Sequence, residues 1–177
     1  TWLFCISLHN RNVFILQAGD DLLRLVLFWG LFLPWGECYS VDANKSREKV
    51  STSWVAAFGY LLLIASVYFF SVLSKSSAEW RCNGSAVYFA LSLEQIRLPF
   101  TGDFLYKFPR LMVFLTHLVF YLEILIPLLI LSPFKSKICR AVAFVLIFFL
   151  HVGISLSLFV GLFPLISIAS GLALIPG

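Results

Sequence analysis

The sequence predicts an all-α protein: a polytopic transmembrane helical bundle with a short re-entrant or interfacial helix. Three observations carry this. Hydrophobic residues make up 60% of the chain and charged residues only 12%, against about 25% in a soluble domain. The apolar residues lie in long runs without strand alternation, and runs of that length read as helices. Lipid offers the backbone no hydrogen bonds, so only helices or closed barrels can span it.

Each element follows from its own residues. Residues 1–8 read as the tail of a span already under way. There is no initiator Met and no charged leader region, so this is not a signal peptide. Residues 1–177 read as a single domain, a fragment truncated at both ends. The first complete span covers 22–36 and is kinked or ended by Pro34. The second covers 50–74, a stretch without a charged side chain that is closed by Lys75. The third, 111–131, is opened by Pro109-Arg110, and the fourth covers 141–163. The last apolar stretch, 164–176, starts with a proline suited to a first helical turn. It is too short to span alone, and reads as a cut-off span or a re-entrant helix.

The connection 75–109 holds a further apolar stretch, 86–93, that is too short to cross a bilayer. It suits an interfacial or re-entrant helix, entered through the Asn83-Gly84 turn and ended by Pro99-Phe100-Thr101-Gly102. By alternation, loops 39–52 and 132–140 share one side, and they carry Lys45, Arg47, Lys49, Lys135, Lys137 and Arg140. The positive-inside rule makes that side cytoplasmic, so Lys75 faces the opposite side. The net charge of +4 comes from such loops, and nothing resembles a nucleic-acid motif. The cysteines Cys5, Cys38, Cys82 and Cys139 form no C-x-x-C pair. They read as buried structural thiols, and no metal site is expected.

Ionisable residues at membrane depth are the candidates for function. Glu123 lies in the middle of the third span, and Pro127 cannot donate a hydrogen bond to its carbonyl. A carboxyl there is paired or protonated, serving either as helix–helix glue or as a site. His151 is near the middle of the fourth span, with Ser155 on the same face. Gly153 and Gly161 would admit a close neighbour. His117 shares a face with Tyr121, away from Glu123, and reads as structural. Asp20 and Asp21 suit a helix start, with Arg24 near enough to pair with either, and Ser40-Val41-Asp42 reads as a cap or turn. Lys75 allows two readings: a snorkelling anchor with its ammonium at the interface, or a desolvated amine poised as a base beside Trp80.

The order of motifs resembles a known family. Ser7-Leu8-His9-Asn10-Arg11-Asn12, Gly19-Asp20-Asp21-Leu22-Leu23-Arg24, Leu27-Phe28-Trp29-Gly30-Leu31-Phe32-Leu33-Pro34 and Ser40-Val41-Asp42 are similar to the horizontally transferred transmembrane (HTTM) domain. That domain is related to the membrane portion of vitamin K-dependent gamma-glutamyl carboxylase. Tyr68-Phe69, Lys75 and Trp80 resemble a carboxylase stretch with the same spacing, and His151 with Phe159-Val160-Gly161 resembles a later one. The resemblance runs over about positions 7 to 177. Where the carboxylase has two adjacent lysines, this chain has Ser74-Lys75.

The resemblance implies a carbon–carbon lyase that uses reduced vitamin K, a menaquinol or phylloquinol, and no metal. Lys75 would deprotonate the hydroquinone so that dioxygen can attack. The strong base that results would take the γ-proton of a protein or peptide glutamate, and carbon dioxide would add. His151 would position the quinone or an oxyanion. This reading expects Lys75 to face a pocket lined by His151, the aromatics Tyr68 and Trp80, and Glu123. The family also implies a bacterial inner membrane, with Lys75 on the non-cytoplasmic side. The alternative is a non-catalytic module that binds quinone, lipid or a protein partner. A transporter fits least well, because no inverted repeat is visible.

Overall fold

The computed structural model describes residues 1–12, 14, 16–33 and 53–175. Pro34, Cys38, Ser40-Val41-Asp42 and loop 39–52 lie outside them. The described elements are α1 (Trp2–Arg11), α2 (Ala18–Gly30), α3 (Trp54–Ser74), α4 (Ala78–Arg81), α5 (Ala86–Ser92), α6 (Thr101–Tyr106), α7 (Pro109–Leu131), α8 (Ser136–Ser157) and α9 (Phe163–Gly171), followed by a 3-10 turn (Leu172–Leu174). Among the described residues there is no strand, and α3, α7 and α8 are long and apolar enough to cross a membrane. The protein is an all-α membrane helical bundle.

Antiparallel packing of α3, α7 and α8 makes the core. Tyr60, Ile64, Ala65 and Tyr68 of α3 meet Ile126 and Ile130 of α7 and Ala143, Ile147 and Leu150 of α8, with Leu174 closing the cluster. Large apolar residues on the outer faces, among them Phe70, Phe114, Leu128 and Phe149, are exposed, as a lipid-facing surface requires. Because lipid is as apolar as this core, close packing holds the helices together more than hydrophobic burial does. The fully packed Ala65 and Ala143 let backbones approach.

Local chemistry fixes the ends. α2 starts with a capping box, in which Asp20 Oδ2 accepts the Gln17 backbone N–H at 2.8 Å. Arg24 pairs with Asp21 at 2.8 Å. Prolines open α7 and α9. The fourth span ends earlier than expected, at Ser157. Leu158 turns extended and bridges Arg97, with Leu98 N–H donating to Ser157 O at 3.0 Å. The connection therefore docks on α8. This docking also corrects the reading of Pro99 to Gly102: α5 already stops at Ser92, and Thr101 opens α6.

α5 is re-entrant. Its Val87 N–H donates to Thr116 Oγ1 at 3.1 Å, and Thr116 is fully buried on α7. That position is two turns inside α7, roughly 10 Å from its start at 1.5 Å per residue. The turn before α5 uses Gly84 at φ +66°, where an added Cβ would come within 2.7 Å of Val113 and 2.9 Å of His117. Gly84→Ala is therefore expected to destabilise the protein by roughly 2 kcal/mol or more, read as a lower thermal midpoint in detergent.

Two expectations are corrected. Gly153 has open space where its Cβ would be, so no neighbour uses it, whereas Gly161 does bring Gln17 close. The described cysteines are not buried: Cys82 is exposed and Cys5 and Cys139 are half-buried.

Candidate functional site

Lys75 and Glu123 meet because of how helices point their side chains. In a helix the side chains lean toward the N-terminus. Lys75, at the end of α3, leans back over Ser71, one turn earlier, while Glu123 leans toward the start of the antiparallel α7. Lys75 Nζ forms an ion pair with Glu123 Oε2 and donates to Ser71 Oγ at 2.7 Å; Ser71 Oγ in turn donates to Glu123 Oε2 at 3.0 Å. The two side chains are 13% and 9% exposed, so the lysine does not reach for the headgroups.

The connection closes the pair from above. Trp80 of α4 lies with its ring 4.7 Å from Lys75 Nζ, a cation–π contact. Arg81 Nε donates to the Lys75 carbonyl at 3.2 Å and pins the end of α3. The pair lies roughly four turns, about 20 Å, along α7 from its start at 1.5 Å per residue.

Below Lys75 on the same face, Tyr68 Oη shares a 3.0 Å hydrogen bond with His151 Nε2. His151 is 1% exposed, and the half-buried Phe163 at the start of α9 packs its ring edge-on, 5.3 Å away. His151 Nδ1 is buried without a hydrogen-bond partner. With Tyr68 donating to Nε2, the proton of the neutral imidazole sits on that orphaned Nδ1. Tyr68→Phe leaves a second ring nitrogen unpaired, and is expected to cost about 1–3 kcal/mol, measured by denaturation in detergent.

Lys75, Glu123, Trp80, Tyr68 and His151 therefore lie in two linked groups on one seam. Ser155 is exposed and not bonded to His151, and His117 packs beside Gly84. Ser71 and Phe163 were missed. Ser71 was detectable as a hydroxyl one helical turn before Lys75, but Phe163 reaches His151 only through the tertiary fold. A groove of about 720 Å³ lies elsewhere and is lined by none of Lys75, Glu123 and His151.

The family model described as HTTM domain matches residues 20–175. This chain belongs to the HTTM family. No curated protein and no solved structure matches it. Family membership makes the HTTM chain a membrane module related to the carboxylase membrane domain. The match begins at Asp20, so α1 and its His9-Asn10-Arg11 motif precede the matched stretch.

Proposed function

We propose that this HTTM protein is a carboxylase-like enzyme that couples oxygenation of a vitamin K-type hydroquinone to carboxylation of glutamate. The observation that carries the reading is the inward turn of Lys75, held against Glu123 and Ser71 under Trp80. A snorkelling anchor would place its ammonium among headgroups.

The residues fit reduced vitamin K in one testable respect. A hydroquinone needs polar contacts for its oxygens and apolar faces for its ring. His151 Nδ1 is a buried polar atom without a partner, beside the rings of Tyr68 and Phe163. Lys75, His151 and Trp80, with Tyr68 and Glu123, are the residues that would hold the group. A bound menaquinol or phylloquinol supplies the reducing power that brings in dioxygen and, through it, the base strong enough to remove a glutamyl γ-proton.

The side chains then have distinct tasks. In the ion pair Lys75 carries its proton; to act as the base it first gives that proton up, and the free amine then takes one at Nζ. Glu123 Oε2 and the face of Trp80 stabilise the ammonium that results, as a buried carboxylate stabilises the cation of a catalytic base. Ser71 Oγ fixes the lysine in one rotamer. His151 orients an oxygen through Nδ1–H, with its ring held by Tyr68 Oη. Trp80 and Phe163 exclude water, which a reactive base requires.

The test is activity of the purified protein in a bilayer. With menaquinol or phylloquinol, dioxygen, carbon dioxide and a glutamate peptide, it should form quinone epoxide and carboxylated peptide together. No turnover with any naphthohydroquinone favours the second reading, a non-catalytic module. The observation behind that reading is that Lys75, Ser71 and Glu123 already satisfy one another, as a structural tie would.

We also propose a bacterial inner-membrane location with Lys75 on the non-cytoplasmic side. Lys135, Lys137 and Arg140 lie at the end of the bundle opposite the connection, which supports this orientation. Two native thiols can report it. In intact cells carrying Cys5→Ser and Cys38→Ser, an impermeant maleimide should label Cys82 at once and Cys139 only after permeabilisation. Labelling of Cys139 alone would reverse the orientation.

A further inference from the structure

At the Lys75 end of the bundle, α1, the start of α2 and the turn between α8 and α9 enclose the groove of about 720 Å³. That size suits a small-molecule site. The groove is built by close approach: Gly161, at φ +62°, sits so near Gln17 that a Cβ would collide with its side chain. An added Cβ on Gly19 would likewise come within 2.8 Å of the Phe163 backbone.

Part of its polar lining is uncommitted: Asn12 Oδ1 accepts the Phe14 N–H and the Gln17 side chain caps α2, but other groups remain open. Arg24 and Arg97 are ion-paired, but the Arg11 guanidinium has no hydrogen bond or ion pair among the described residues. His9 Nε2 meets Cys5 Sγ at 3.5 Å, and His9 Nδ1 is buried without a partner. Asp20 spends Oδ2 on the Gln17 N–H, and its other oxygen is unengaged among the described residues. The apolar lining is Leu8, Leu16 and Leu162, of which Leu8 is 67% exposed and Leu162 57%.

We propose that this groove seats the headgroup of an aminophospholipid. The phosphate diester lies on Arg11 and His9, the primary ammonium on Asp20, and the acyl chains run over Leu8 and Leu162 onto the lipid-facing surface. Two observations select this occupant. The groove opens at helix ends, where headgroups lie. It also presents one charge of each sign, so a purely anionic ligand would meet the Asp20 carboxylate. The inference is independent of any chemistry at Lys75, and its test reads lipid retention alone.

The protein is reconstituted in phosphatidylcholine nanodiscs containing equal fractions of phosphatidylethanolamine and phosphatidylglycerol. It is then extracted in detergent, and retained lipid is identified by native mass spectrometry. Phosphatidylethanolamine should be retained in preference to both others. Arg11→Gln should lower retention about tenfold or more, since it removes a charge-assisted contact, and Arg11→Lys should restore part of it. Asp20→Asn keeps an oxygen for the Gln17 N–H, and should abolish the preference for phosphatidylethanolamine over phosphatidylglycerol. Arg24→Gln should change nothing. Equal retention of all three lipids overturns the proposal, as does unchanged retention in Arg11→Gln. Displacement by millimolar inorganic phosphate or phosphoethanolamine also overturns it, marking a site for soluble phosphates.

Discussion

Lys75→Ala is expected to lower hydroquinone epoxidation by about 10²- to 10⁴-fold, the usual contribution of a positioned general base. The helical circular dichroism and the gel-filtration position should be unchanged. Carboxylation should fall in parallel, because in the proposed sequence the glutamate step depends on the oxygenated hydroquinone. Lys75→Arg should not rescue: guanidinium keeps the charge, and hence the pairing with Glu123, but cannot act as a free amine at neutral pH. The arginine variant separates the two proposed functions of Lys75. A merely structural tie would tolerate it, while a base would not.

The second large effect is on stability. Glu123→Gln removes the charge of one partner of a buried pair and leaves the Lys75 ammonium uncompensated, which is expected to cost about 3–5 kcal/mol; Lys75→Met is the other single variant. Lys75→Met with Glu123→Gln removes both charges at once and should recover most of that loss. Replacing a buried pair by neutral groups is often neutral or stabilising. Chemical denaturation of the two single variants, the double variant and the parent gives the coupling energy directly. If the losses in the single variants simply add in the double variant, the pair is not coupled as its geometry requires. Ser71 remains in all four proteins, so the cycle isolates the charges from the hydroxyl that bridges them.

Much of the bundle was legible because lipid imposes a simple rule. The apolar runs around Ile64, Ile126 and Ile147 leave no other way to pair the backbone, and these runs became α3, α7 and α8. Lys75 and Glu123 stood out because each is a charge in an apolar run and costs several kcal/mol unless paired. Their mutual pairing needed the register of two antiparallel helices, which no local pattern encodes. Short elements were harder to read. α4 and α6 have too few residues to show periodicity, and the end of α8 is set by Ile96 and Leu98 docking from the connection. Gly153 and Gly161 look equivalent in sequence, but only Gly161 faces a neighbour. Composition also misread the thiols, since a membrane protein exposes apolar residues to lipid, and Cys82 lies on the exposed connection.

Chemical rescue tests the central claim most directly, because it asks what Lys75 supplies and not only whether it matters. In Lys75→Ala, the space left beside Glu123 and Trp80 can admit a small primary amine. Epoxidation by this variant is measured with increasing ethylamine over a range of pH. If Lys75 acts as the base, the rate rises with the concentration of unprotonated amine and falls as that amine is protonated. An intact, folded Lys75→Ala protein that epoxidises at the parental rate, or whose lost activity no amine restores at any pH, contradicts it.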